Sequence, residues 1–177
     1  LWSGDERDYL LVGQKSGDVY ALDPDKGGAV VWHNKVGRGG FLGGVHWGMS
    51  ANGDSLFVPI ADTTITGRFS GPVSPGIHAL DPTSGEVRWY TPSVADCDGK
   101  LPIPVCDQGM SAAITSTDQL VFAGSLDGNL NVYDSLSGEI LWSFDTFGDF
   151  ESVSGDTALG GSIESDGPVL YKGHVLI

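Results

Sequence analysis

Ala79-Leu80-Asp81-Pro82-Thr83-Ser84-Gly85-Glu86-Val87-Arg88-Trp89 occurs in three versions along the chain. The second is Val132-Tyr133-Asp134-Ser135-Leu136-Ser137-Gly138-Glu139-Ile140-Leu141-Trp142. The third is Ala21-Leu22-Asp23-Pro24-Asp25-Lys26-Gly27-Gly28-Ala29-Val30-Val31-Trp32, one residue longer in its turn. Each reads as strand, turn, strand. The first strand alternates and ends on Asp, the turn carries Pro or Ser and then Gly, and the second strand is apolar and carries Trp. Self-similarity of this kind marks an array of one supersecondary unit.

Working outward, each copy sits in a longer pattern. Tyr9–Val12 is a short apolar strand, and Asp18–Asp23 alternates with period two, as a half-buried strand should. Val30–Asn34 follows. His46–Ala51 reads as a strand of small residues, closed by the Asn52-Gly53-Asp54 hairpin turn. Ser55–Ile60, Gly76–Asp81 and Glu86–Tyr90 complete four strands. Gly109–Ile114, Leu120–Gly124, Asn129–Tyr133 and Ile140–Phe144 repeat the set, and Pro168–Tyr171 with His174–Ile177 begin another hairpin. Residues 62–75, 92–108 and 145–166 read as loops.

The unit is therefore a four-stranded antiparallel meander. The spacing of Trp32, Trp89 and Trp142 exceeds the usual propeller period of about 40–50 residues, an excess the long loops supply. Four-stranded units repeated radially form a β-propeller. The predicted fold is all-β, an incomplete arc of about three to four blades. The boundaries are 1–37 for a partial first blade lacking its innermost strand, 38–92 and 93–147 for two complete blades, and 148–177 for the start of a fourth. Each repeated Trp is expected to bury its ring against the next blade with its indole N–H on a backbone carbonyl.

The chain has 177 residues, 27 of them Gly, with only 9 Lys and Arg against 23 Asp and Glu. Its net charge of −14 argues against nucleic acid and anionic membrane surfaces, which need clustered cations. No apolar run reaches the length of a membrane span. The chain opens on Leu1 and closes inside an apolar strand at Ile177, so it reads as a piece of a longer protein. Cys97 and Cys106 lie close together in a loop rich in Pro and Asp. Two free thiols are the alternative, but proximity and loop context favour a disulfide and an oxidising compartment.

The repeat resembles the tryptophan-docking motif of the quinoprotein propellers, the pyrroloquinoline quinone (PQQ) dependent alcohol dehydrogenases. The pattern Ala-x-Asp-x-x-Ser/Thr-Gly-x-x-x-Trp is complete at 79–89 and close in the other copies. Leu11–Pro24, Gly43–Gly48, Ser111–Thr115 leading into Ser125–Gly128, and Gly160–Ile163 leading into Gly167-Pro168 are similar to the polyvinyl alcohol dehydrogenase-like branch. The resemblance implies a planar quinone across one mouth of the propeller, often with Ca²⁺ held by oxygen ligands. It also implies an alcohol substrate, small or polymeric, a carboxylate base, a possible acceptor protein for the electrons, and a periplasmic or secreted location.

Propeller connectivity places the loops 36–46, 62–75, 92–108 and 146–161 on one mouth and the docking turns on the other. Asp107 is the expected catalytic base or a metal ligand. Arg38, His46, Trp47 and Gln108 are the expected cofactor-binding residues: Trp47 to stack on a flat ring, Arg38 to bind its carboxylates. For Trp47 a core position is the alternative, and for His46 a structural one. His46 stands where the resemblance implies an acidic residue, which leaves the metal ligands unassigned. Asp156 and Glu164 are weaker candidates, and Asp18 and Asp127 read as structural turn residues. No phosphate-binding glycine loop, Gly-x-Ser-x-Gly elbow, metal-type His pair or Cys-x-x-Cys-His site is present. Two function classes remain: a PQQ-dependent dehydrogenase, and a non-catalytic propeller that binds protein or glycan partners.

Overall fold

A computed structural model describes residues 1–63, 69–100 and 106–177. Parts of the loops expected over 62–75 and 92–108 lie outside these described residues. Three four-stranded antiparallel sheets follow one another along the chain. The first comprises β1 (Trp2–Ser3), β2 (Asp8–Gly13), β3 (Asp18–Asp23) and β4 (Ala29–Lys35). The second comprises β5 (Ser50–Ala51), β6 (Leu56–Ile60), β7 (Gly76–Leu80) and β8 (Val87–Pro92). The third comprises β9 (Thr115–Ser116), β10 (Leu120–Gly124), β11 (Asn129–Asp134) and β12 (Ile140–Asp145). Two hairpins close the chain: β13 (Asp149–Glu151) with β14 (Thr157–Leu159), and β15 (Val169–Tyr171) with β16 (His174–Leu176).

Three details differ from the sequence reading. The first sheet has its innermost strand, the two-residue β1, with Trp2 paired to Tyr9. The innermost strands β5 and β9 are shorter than expected and begin later, because His46–Met49 and Gly109–Ile114 run as irregular backbone. The stretch 145–166, read as a loop, contains the β13–β14 hairpin, whose six residues are all exposed and so carry no burial pattern.

The repeated stretch builds the same device three times. The Asp that ends the third strand of each sheet accepts backbone N–H bonds from the turn: Asp23 from Asp25 and Lys26, Asp81 from Thr83 and Ser84, Asp134 from Leu136 and Ser137. Such Asx turns explain why Asp precedes each Gly. Pairing then slips by one residue in each sheet, between Ala21 and Leu22, Ala79 and Leu80, and Val132 and Tyr133. The bulged residue directly precedes the Trp, and a bulge re-aims the side chain beside it. Trp32 Nε1 donates to Pro82 O at 2.9 Å and Trp89 Nε1 to Ser135 O at 3.0 Å, so each indole reaches the turn of the following sheet. A Cβ on Gly85 would lie 2.5 Å from the Trp32 ring, and one on Gly138 2.5 Å from the Trp89 ring. Both glycines also have positive φ, so only Gly meets both demands. The Trp142 indole makes no such bond to the described residues; it is 50% exposed and stacks on Phe144.

Two cores result. β6 is buried along its whole length. Leu56, Val58 and Ile60 face the first sheet and pack with Val19, Ala21 and Trp32. Phe57 faces the third sheet with Ile77, Ala79, Val121 and Tyr133. A strand buried on both faces loses the polar alternation, and burial of each large apolar side chain contributes about 1.5–3 kcal/mol.

Candidate functional site

Hydrogen bonds place the loops between sheets and those inside them on one face. The segment before β5 bonds to the β2–β3 turn through Val36 and Gly37 to Gly17 O, and through Gly40 and Gly44 to Lys15 O. Three bonds then repeat in register. Val45 N donates to Gln14 O, Met110 N to Ile60 O, and Ile163 N to Ser125 O. Val45, Met110 and Ile163 are therefore equivalent positions of three successive repeats. The residue after each is His46, Ser111 and Glu164.

These three side chains meet. His46 Nδ1 lies 2.7 Å from Ser111 Oγ, and Ser111 Oγ donates to Glu164 Oε1 at 2.6 Å. Glu164 Oε1 is also 3.3 Å from His46 Nδ1 and accepts from Trp47 Nε1 at 2.8 Å. The Trp47 ring lies 4.9 Å from the His46 ring and is 54% exposed. It is thus a flat apolar surface fixed at its polar edge and open on the rest. Burial pushes the His46 imidazole below its ordinary value, the Lys15 ammonium adds to this, and the Glu164 carboxylate opposes both. Glu164 also borders an open groove of about 540 Å³ lined by Phe144, Phe150 and Ile163.

The other candidates share no hydrogen bond with this cluster among the described residues. Arg38 directs its guanidinium at backbone carbonyls, Nε to Gly39 O at 3.3 Å and Nη2 to Thr63 O at 2.8 Å. Its backbone N–H, with those of Gly39 and Ser74, donates to the buried Asp62 carboxylate. Asp107 is 4% exposed and accepts from Gly109 N–H at 2.8 Å. Gln108 beside it is half-buried. Asp156 accepts from Ser154 in the β13–β14 turn. Asp127 is buried, accepts from Ser125 Oγ, the Asn129 side chain and Asp96 N–H, and so ties the loop after β8 to the third sheet. Cys97 and Cys106 are joined by a disulfide within that loop. Among the described residues no group of three His, Cys, Asp or Glu side chains is placed to hold a metal ion.

Ser111 and Glu164 carry the geometry, yet sequence reasoning passed over the first and ranked the second low. The usable signal was the repeat register, which aligns both with His46.

Residues 15–162 match the PQQ_2 family, described as outer membrane protein assembly factor BamB. The chain belongs to this family. It is 37% identical over 175 residues to a polyvinylalcohol dehydrogenase of Pseudomonas sp, a match that covers 98% of this chain and 26% of that protein. A polyvinylalcohol dehydrogenase of Sphingopyxis sp. (strain 113P3) is 34% identical over 174 residues, with the same coverage of 98% and 26%. The chain thus spans about a quarter of these relatives. The crystal structure of BamB from Moraxella catarrhalis superposes with a TM-score of 0.58 at 20% identity, over 97% of this chain and 44% of that one. At that identity the likeness concerns the fold, which is the β-propeller. Each four-stranded sheet of this family member has the form of one blade.

Proposed function

We propose that this chain is part of a PQQ-dependent dehydrogenase that oxidises an alcohol, small or polymeric, to a carbonyl. The observation that carries the reading is the cluster at the mouth, where one position of three successive blades converges on a half-exposed tryptophan. The similarity to two polyvinylalcohol dehydrogenases covers 98% of the chain. We read blade limits at 1–37, 38–92 and 93–147, with 148–177 opening a fourth.

Trp47 fits a planar quinone, because its ring is exposed while its N–H is already satisfied by Glu164. Arg38 has N–H groups beyond the two used on Gly39 and Thr63, and these suit quinone carboxylates. Gln108 would add an amide donor from the neighbouring loop. PQQ, when bound, supplies the acceptor for hydride. The described residues do not fit Ca²⁺, which takes six to eight oxygen ligands, so no step is assigned to a metal. The Cys97–Cys106 disulfide supports a periplasmic or secreted location, and a separate protein would take the electrons.

A second reading, a propeller that binds partners without catalysis, is favoured by the missing metal-ligand set among the described residues. One experiment separates the two. Full-length protein is supplied with PQQ and Ca²⁺, and dye reduction is followed with polyvinyl alcohol and with small primary and secondary alcohols. Turnover with any of them supports the dehydrogenase; no turnover together with no quinone binding supports the second reading.

A further inference from the structure

We infer that His46 Nε2 is the base that takes the hydroxyl proton of the alcohol, and that Ser111 and Glu164 hold the imidazole in the tautomer this requires. The inference rests on the dehydrogenase reading and adds to it the identity of the base.

The assignment follows from counting donors. A carboxylate only accepts, and an indole N–H only donates. Glu164 Oε1 therefore accepts from Trp47 at 2.8 Å and from Ser111 Oγ–H at 2.6 Å. Ser111 has spent its single proton on Glu164, so only its lone pairs face His46. The 2.7 Å contact between His46 Nδ1 and Ser111 Oγ then requires the proton on Nδ1. A neutral imidazole carries one N–H, which leaves Nε2 as a bare acceptor. Nε2 has no hydrogen-bond partner among the described residues, and none of their buried side-chain polar atoms lacks one. The imidazole is 11% exposed, and its Nε2 edge is the one that makes no bond to the described residues, so it is the edge a ligand would meet.

The charged groups facing His46 are Lys15, from the turn between β2 and β3, and Glu164, from the segment before β15. Burial and Lys15 outweigh Glu164, so the ring is neutral and able to accept at neutral pH. Asp107, the base expected from sequence, is buried and bonded to Gly109. In the step itself the alcohol O–H bond breaks and its proton goes to Nε2, giving imidazolium. PQQ, if bound, would supply the acceptor for the carbon-bound hydrogen and its electron pair as the C–O bond becomes C=O. Solvent takes the proton from imidazolium afterwards.

The test has two arms on the full-length protein. In the first, diethylpyrocarbonate modifies the native protein between about pH 5 and 8, and mass spectrometry reads the peptide containing His46. The expected result is modification at Nε2, with a rate that rises through a midpoint below 6.5. Removing the opposing carboxylate in Glu164→Gln lowers that midpoint further, and Lys15→Met raises it. In the second arm, His46→Gln lowers turnover by about 10²–10⁴-fold, the contribution of a general base, while the PQQ dissociation constant changes about threefold or less. A His46 that stays unmodified in the native protein, or a His46→Gln variant that keeps its turnover, overturns the inference and leaves the dehydrogenase reading standing. Wild-type protein that neither binds PQQ nor turns over overturns both.

Discussion

His46, Ser111 and Glu164 occupy one position of the repeat, and their side chains lie within hydrogen-bonding distance although Glu164 is 117 residues from Trp47. His46 and Trp47 were legible in the sequence because an imidazole and an indole stand out in a glycine-rich stretch. Ser111 and Glu164 were not, since a serine and a glutamate gain meaning here only when three blades pack. The turn residues were legible because their chemistry is local. Two predictions belong to this scale. Gly138→Ala places a Cβ 2.5 Å from the Trp89 ring at a positive φ. Left-handed backbone alone costs about 1–2 kcal/mol, and overpacking adds to it, so urea unfolding should show a loss of about 2–4 kcal/mol. A loss below about 0.5 kcal/mol would mean the ring does not sit on that glycine. Asp81 is the second. Burial would raise its carboxyl, but hydrogen bonds from Thr83 and Arg88 win and hold it well below 3.8. Because the folded value is depressed, the stabilisation is fully present above 3.8 and is lost as pH falls through the folded value. Thermal melts should therefore show Asp81→Asn least stable relative to wild type near neutral pH, with the gap closing in acid below 3.8. A gap that is constant with pH would show that the carboxylate charge contributes nothing.

At the scale of elements, β3 lies where its period-two alternation puts it, and β10 where a short apolar run puts a strand. The pattern failed where no face is buried, as in the exposed β13–β14 hairpin. It also failed where two residues make a strand, as in β1, too short for any periodicity. The bulge before each Trp could not be read either, because register depends on the partner strand. What joins one blade to the next is the indole. Trp89 packs with Phe57, bonds to Ser135 O and covers Gly138. Trp89 is partly buried against the core around Phe57, so Trp89→Ala should cost about 2–4 kcal/mol, somewhat below the range for a fully buried ring. Denaturant midpoints would report it, and a loss under about 1 kcal/mol would contradict its role between blades. Ser135→Ala should cost less, about 1 kcal/mol, because it removes the part-buried bond from Ser135 Oγ to Asp118 O and keeps the backbone carbonyl that Trp89 uses.

Across the whole molecule, the repeat orders the two faces. Docking turns carry Asp and Gly and bind the neighbouring blade, whereas the loops opposite carry the unusual side chains. The net charge of −14 suits an uncharged or cationic partner better than a polyanion. Family membership was legible because the repeat is short, local and present three times. Which side chains meet at the mouth was not, because the arc of blades brings them together through space. A planar quinone at the mouth around Trp47 is what the proposed dehydrogenase requires. Its most direct test is calorimetric titration of PQQ into the full-length protein and its Trp47→Ala variant. Base–aromatic stacking is worth about 1–3 kcal/mol, so the variant should bind about 5- to 150-fold more weakly than a stoichiometric wild type. Equal affinity in both proteins, or no binding by wild type, would contradict the account.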